Sequence, residues 1–258
     1  MVIELSNEFL TVQFKERGGE LASIKDRDGV EYLWQGDPEY WSGQAPVLFP
    51  NCGSVRNDKA MYIMEDGEVL EGILPRHGLV RKKDFQFTRI NERQVMFTIE
   101  NNEEMLEQYP YPFRLTIFYS LDESKIEIEY LVENLGTKNL MPYFIGAHPG
   151  FNCPLIPGES YEDYSIEFER EESCTIPESF PDTGLIDVNA RHSFLVKQKS
   201  LPLDYALFEK DAITLDQLHS RSVVLKSRNH TKTIKVDFQD FPNLILWSTP
   251  NKGPFIAI

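Results

Sequence analysis

The sequence predicts an antiparallel all-β protein, sandwich or barrel. Three observations point there. Short runs of β-branched and aromatic residues recur at close spacing along the whole chain. Turn-forming dipeptides punctuate them. A helical period is almost absent. The 258 residues suffice for one large all-β domain with a substantial core, and we read residues 1–258 as a single domain. An aromatic content of 12% within 41% hydrophobic residues excludes disorder as the main state.

The elements follow in order. Val2–Leu5, Leu10–Phe14 and Leu21–Ile24 read as strands, and Asp28-Gly29 is a hairpin signal after them. Pro46-Val-Leu-Phe-Pro50 has proline at both ends, which argues for a loop or edge strand. Tyr62–Met64 and Val69-Leu70 flank Asp66-Gly67 as a hairpin. Phe85–Phe87 and Gln94–Ile99 follow as strands. Glu100–Glu107 is the one stretch fit for a helical turn or two, and Tyr109-Pro-Tyr-Pro112 ends it. Leu115–Tyr119 and Lys125–Glu133 are the clearest strands. In the second, Ile126, Ile128, Tyr130 and Val132 alternate with charged residues at period 2. Residues 153–203 are rich in Pro, Ser, Glu and Asp and read as long loops, with Tyr164–Phe168 as their strand. Strands resume at Ala212–Leu215, Ser222–Lys226, Thr233–Phe238 and Leu244–Trp247.

Charge narrows the partners. Forty-one acidic against 26 basic residues give a net charge of −15. Such a chain repels phosphate backbones and anionic membranes, so neither nucleic acid nor membrane is expected as a partner. A neutral small molecule remains open. No apolar run nears the ~20 residues of a membrane span. The N-terminus lacks a basic segment followed by an apolar one, so no signal peptide is read. Cys52, Cys153 and Cys174 form no CxxC pair and have no His at zinc-site spacing. Reduced thiols in a cytoplasm account for them, and no metal site is read.

Two stretches carry the chemistry. In Ile145-Gly-Ala-His-Pro-Gly-Phe-Asn152, Pro149 restricts His148 toward extended geometry. Gly146 and Gly150 allow close backbone approach or positive φ. Such a His is fixed in direction, as a proton donor must be; the plainer reading is a turn that happens to hold a His. Upstream, Leu74-Pro-Arg-His-Gly-Leu-Val-Arg81 sets His77 on a second turn. Two histidines on separate loops suit proton transfer near neutral pH, with Arg56 and Arg81 close to their motifs. Arg81 reads as a structural cation paired with one of many carboxylates, or as part of the site. Asp211 reads as a solvated turn carboxylate or as an acceptor for a ligand hydroxyl. Trp247 reads as core, or as a flat face for a sugar ring. His192, His219 and His230 receive no role. No carboxylate pair marks a glycoside hydrolase.

Four runs together resemble the aldose 1-epimerase (galactose mutarotase) family, most of all its bacterial LacX-like branch. They are Phe49-Pro-Asn-Cys-Gly-Ser54 with Arg56, Leu74-Pro-Arg-His-Gly78 with Arg81, Tyr111-Pro-Phe113, and Gly146-Ala-His-Pro-Gly-Phe151. The resemblance runs through essentially the whole chain. It implies a β-supersandwich of the galactose mutarotase type, a free hexose as substrate, and neither metal nor cofactor. By the same resemblance Arg56 and His77 contact the sugar, His148 is the general acid, and Asp211 binds substrate on a looser match. The family's general base is a Glu, which in this branch lies in a Glu-Pro-Trp run after an apolar stretch. Here Gly253-Pro-Phe-Ile-Ala-Ile258 resembles that lead-in and the sequence stops, so the base is expected to be missing from a chain cut short. An isomerase is the implied activity; a carbohydrate-binding protein without catalysis is the other class kept open.

Overall fold

The computed structural model describes residues 3–137 and 140–258. About 51% of residues are strand and 6% helix. The sheets are antiparallel, as the alternating runs predict. The chain forms two compact units, one of residues 1–29 and 45–148, the other of 30–44 and 149–258.

In the first unit, β1 (Ile3–Ser6), β2 (Leu10–Lys15) and β3 (Glu20–Asp26) form a three-stranded meander. The sequence starts the first of these at Val2, which lies outside the described residues. Burial in β2 alternates strictly, with Leu10, Val12 and Phe14 inside. β4 (Val47–Leu48) is only two residues long, as its flanking prolines require. β5 (Lys59–Ile63) and β6 (Val69–Ile73) make the predicted hairpin. β7 (Gln86–Asn91), β8 (Gln94–Glu100), β9 (Phe113–Asp122) and β10 (Lys125–Asn134) form a sheet in the order β10-β9-β8-β7. Between β8 and β9 lies helix α1 (Glu103–Gln108), whose first turn is capped by the Asn102 side chain accepting from Met105 N–H. β11 (Gly146–Ala147) pairs with β4. The core holds Phe14, Phe97 and Tyr119 in mutual ring contact, and the buried Tyr119 hydroxyl donates to the Gly19 carbonyl at 2.8 Å.

The second unit contains β12 (Gly150–Asn152), β13 (Tyr164–Phe180), β14 (Leu185–Pro202), β15 (Ile213–Leu215), β16 (Ser222–Ser227), β17 (Thr233–Asp237), β18 (Leu244–Leu246) and β19 (Phe255–Ala257). Its larger sheet runs β14-β13-β16-β17. Most of the stretch read as loops is therefore a long hairpin, β13 with β14. The reason is in the pairing. Four register shifts interrupt it between Glu167 and Glu178. Each extra residue reverses which side chains face inward, so the alternation of the sequence breaks every few residues. β12 pairs with β19, and Trp247 bridges to Ala257 on the other side of β19. Phe255, Ile256, Ala257 and Ile258 are all buried. Residues 30–44 lie along β12: Trp34 N–H donates to the Gly150 carbonyl and Gly150 N–H to the Gln44 carbonyl. All three cysteines are free thiols.

Candidate functional site

His77 and His148 both belong to the first unit, and their rings meet edge to face with centroids 5.5 Å apart. His77 sits on a turn with φ at +68°, a left-handed backbone uncommon outside glycine. Such strain persists only where the surroundings hold it, and it clusters at functional sites. Here the holding is explicit. His77 N–H donates to the Gly53 carbonyl at 2.9 Å. Gly53 N–H donates to His77 Nδ1 at 3.1 Å. With Nδ1 occupied as an acceptor, the neutral ring carries its proton on Nε2 and presents a donor there.

Gly78 completes the turn. Its φ is +80°, and a Cβ there would lie 2.1 Å from the Phe49 carbonyl oxygen. Gly78→Ala therefore combines backbone strain with a clash against main chain. We expect it to lower unfolding free energy by about 3 kcal/mol or more, read as a shift of the urea midpoint. An unchanged midpoint would show that this loop contributes nothing to the stability of the unit.

His148 lies on an extended link between β11 and β12, with no turn at the residue itself. Pro149 after it disfavours the helical region and keeps the link straight. The flanking glycines serve close packing: a Cβ on Gly146 would lie 3.0 Å from Cys52 Sγ, and one on Gly150 would lie 2.8 Å from the Trp41 ring.

Both imidazoles are half-buried. Burial pulls His77 down to about 3, and His148, Arg76 and Arg81 add to the shift. Burial likewise takes His148 down to about 4; a hydrogen bond with its own backbone opposes the shift, and Arg76 and Arg81 reinforce it. At neutral pH both rings are uncharged in the free protein. The same two arginines, Arg76 and Arg81, act on both histidines, so the pair lies in the field of two cations. Arg81 corrects one expectation. Among the described residues it forms no ion pair; burial, then Arg76, lowers its pKa. The charged group that acts on it is another cation, Arg76. Arg76 is a cation that the sequence did not single out, although it precedes His77 directly.

Arg56 is exposed and opens a short 3-10 turn, Arg56–Asp58. That turn is tied to the His77 loop, because Leu74 N–H donates to the Asp58 carbonyl at 2.8 Å. Asp211 belongs to the second unit. It is half-buried with φ at +83°, and its N–H donates to the Phe208 carbonyl. Trp247 packs edge-on against Trp41 and Phe255 in the second unit and is half-buried, at the margin of the core rather than within it. Ile258 N–H donates to the Pro149 carbonyl at 3.1 Å, which sets the end of the described chain beside the residue following His148. Among the described residues no group of three or more His, Cys, Asp or Glu stands where it could hold a metal ion, and no helix is long and apolar enough to cross a membrane.

An antiparallel all-β framework thus holds two neutral histidines ring to ring, a pairing suited to acid–base work on a small molecule. Residues 1–254 match the family model described as aldose 1-epimerase, and the chain belongs to that family. It is 61% identical to the chromosomal protein LacX of Lactococcus lactis subsp. lactis, over all of this chain and 86% of that protein. Its fold is that of galactose mutarotase-like structures. A galactose mutarotase related enzyme from Lactobacillus acidophilus superposes with a TM-score of 0.90 at 27% identity, over 100% of this chain and 84% of the other. A galactose mutarotase-like protein from Lactobacillus casei gives 0.85 at 29% identity, over 100% and 86%.

Proposed function

We propose that the chain interconverts the α and β anomers of a free hexose, galactose or glucose, by acid–base opening of the sugar ring. The observation that carries this is the His77–His148 pair at 5.5 Å in the field of two cations, in a member of the aldose 1-epimerase family. The reaction needs two groups on one hemiacetal. A base takes the O1 proton while an acid protonates the ring oxygen. The ring opens, the C1–C2 bond rotates, and closure exchanges the roles. His148 serves the ring oxygen as the acid. The Nε2–H of His77 and the guanidinium of Arg56 hold hydroxyls and steady charge that develops on oxygen. Asp211 accepts from a further hydroxyl. By the family resemblance the base is a Glu carboxylate. We take both compact units as parts of one aldose 1-epimerase domain, because a single family model spans 1–254. Three unpaired thiols support a cytoplasmic location.

The neutral state of both imidazoles favours a second reading. Neutral rings hydrogen-bond a sugar without transferring protons, so a carbohydrate-binding protein lacking catalysis would use the same residues.

Polarimetry on freshly dissolved α-glucose or α-galactose separates the two. The epimerase reading expects relaxation faster than in buffer and proportional to protein concentration. Binding of either sugar without acceleration selects the second reading. His77→Gln is expected to weaken sugar binding and to lower the rate by about tenfold or more, since it removes a positioned donor. Wild-type binding and rate in that variant would remove His77 from the site.

A further inference from the structure

We infer that Asn51, buried beneath the His77 turn, is a positioning residue that fixes which nitrogen of His77 carries the proton. The inference rests on the proposed sugar site but concerns a residue that no part of that reading uses.

Asn51 is 4% exposed. Its Nδ2 donates to two backbone carbonyls, Gly53 at 3.0 Å and Pro75 at 3.3 Å. One carbonyl lies on each of the two loops that meet at His77. The Gly53 carbonyl also accepts from His77 N–H, and Gly53 N–H donates to His77 Nδ1. The Pro75 carbonyl accepts from Gly78 N–H and closes the turn that holds His77. One amide group thus clamps residues 51–53 to residues 75–78, and the residue whose carbonyl it holds, Gly53, is the one whose own N–H occupies Nδ1.

The other end of the side chain strengthens the case. Asn51 Oδ1 is buried with no hydrogen-bond partner. Buried polar atoms are rarely left unpaired, because each has lost its hydration without replacement. Turning the amide over would set an oxygen against two carbonyl oxygens, so the orientation is fixed. The side chain stands there for what its N–H groups hold.

The chemical consequence follows. With the clamp intact, Nδ1 is held as an acceptor and Nε2–H is the donor available to a ligand. With the clamp gone, Gly53 keeps only its bonds to His77, the 51–53 and 75–78 loops lose the amide that ties them, and both tautomers of the neutral ring become accessible. The tautomer with Nδ1–H turns a bare Nε2 toward the sugar, and an acceptor cannot replace a donor to a developing oxyanion.

The test uses the full chain labelled with nitrogen-15. Imidazole nitrogen spectra distinguish protonated from bare nitrogens, and His77→Gln assigns the His77 signals. Wild type should show one tautomer, with Nε2 protonated. Asn51→Ala should move both His77 signals toward the averaged values of a mixture, and lower mutarotation by about tenfold to a hundredfold, as for a misplaced group. Tyr119→Phe is the control for general destabilisation: it removes a buried hydrogen bond to Gly19 in the same unit and should leave the His77 signals in place. Should Asn51→Ala fail to fold, Asn51→Leu, which fills the space without a donor, is read on the same signals. Unchanged His77 signals in either folded variant, or an equal change in Tyr119→Phe, would overturn the inference. The spectra require no turnover, so a protein that failed to catalyse mutarotation would still decide the role of Asn51.

Discussion

His148→Gln should slow anomer interconversion by about 10²-fold or more while the fold stays intact, the cost expected for loss of a general acid. Glutamine keeps polarity and a hydrogen-bond donor at nearly the same reach but cannot give up a proton at any accessible pH. The loss should therefore fall on kcat, with sugar affinity little changed. This is the opposite balance to His77→Gln, where binding and rate decline together. Optical rotation gives the rate, and circular dichroism shows whether the variant is folded. A folded variant with the wild-type rate would remove His148 from the mechanism.

The pH profile gives an independent reading of the same residue. Burial holds the His148 pKa at about 4, so the imidazolium form is scarce at pH 7 and becomes abundant only near pH 4. A protonated acid is the active form. The enzymatic rate, after subtraction of the rate in buffer, should rise as pH falls from 7 toward 4, and His148→Gln should abolish that rise. Stability moves the other way. In the unfolded chain both histidines titrate near their ordinary value of 6.5, above their values in the fold. The unfolded state therefore binds more protons, and stability declines as pH falls below about 6.5.

Much of this was legible in the residues, and the failures have physical causes. β2 and β10 were readable because one face of each is more buried than the other, which writes a period of 2 into the sequence. The hairpin of β13 and β14 was not, because its bulges scramble the period. The histidine pair was readable as two glycine- and proline-framed motifs, since only such residues permit a left-handed turn at 77–78 and an extended link at 148. The unpaired state of Arg81 was hidden. A chain with 41 acidic residues offers many partners on paper, and only the fold shows that the charge acting on this one is another cation, Arg76. Asn51 was hidden inside a motif noticed for its neighbours, because a buried amide has no sequence signature apart from its contacts.

A chain carrying Glu-Pro-Trp after Ile258 should catalyse mutarotation about 10²–10⁴-fold faster than a polypeptide ending at Ile258, the span typical of a positioned general base. The family resemblance and the course of β19 give the reason. β19 runs antiparallel to β12 with Ala257 opposite Gly150, and Ile258 N–H is bonded to the Pro149 carbonyl. One more residue extends β19 past Pro149, the residue that follows His148 in the chain. The family's base is such a Glu, so the added carboxylate is expected to take the O1 proton, which otherwise passes to water. It should have a second effect as well. A carboxylate that acts on the same sugar as His148 favours the charged ring, so a working base should raise the His148 pKa from about 4 and shift the acid limb of the pH profile upward. A tail that merely completed the strand would stabilise the fold without moving that limb. Appending Gln-Pro-Trp separates these contributions, because it supplies the same strand residues without a base. The Glu tail should be fast and shifted, and the Gln tail should be slow and unshifted. Equal rates from folded proteins with the two tails would place the base elsewhere, and Asp211→Asn would be the next variant to measure.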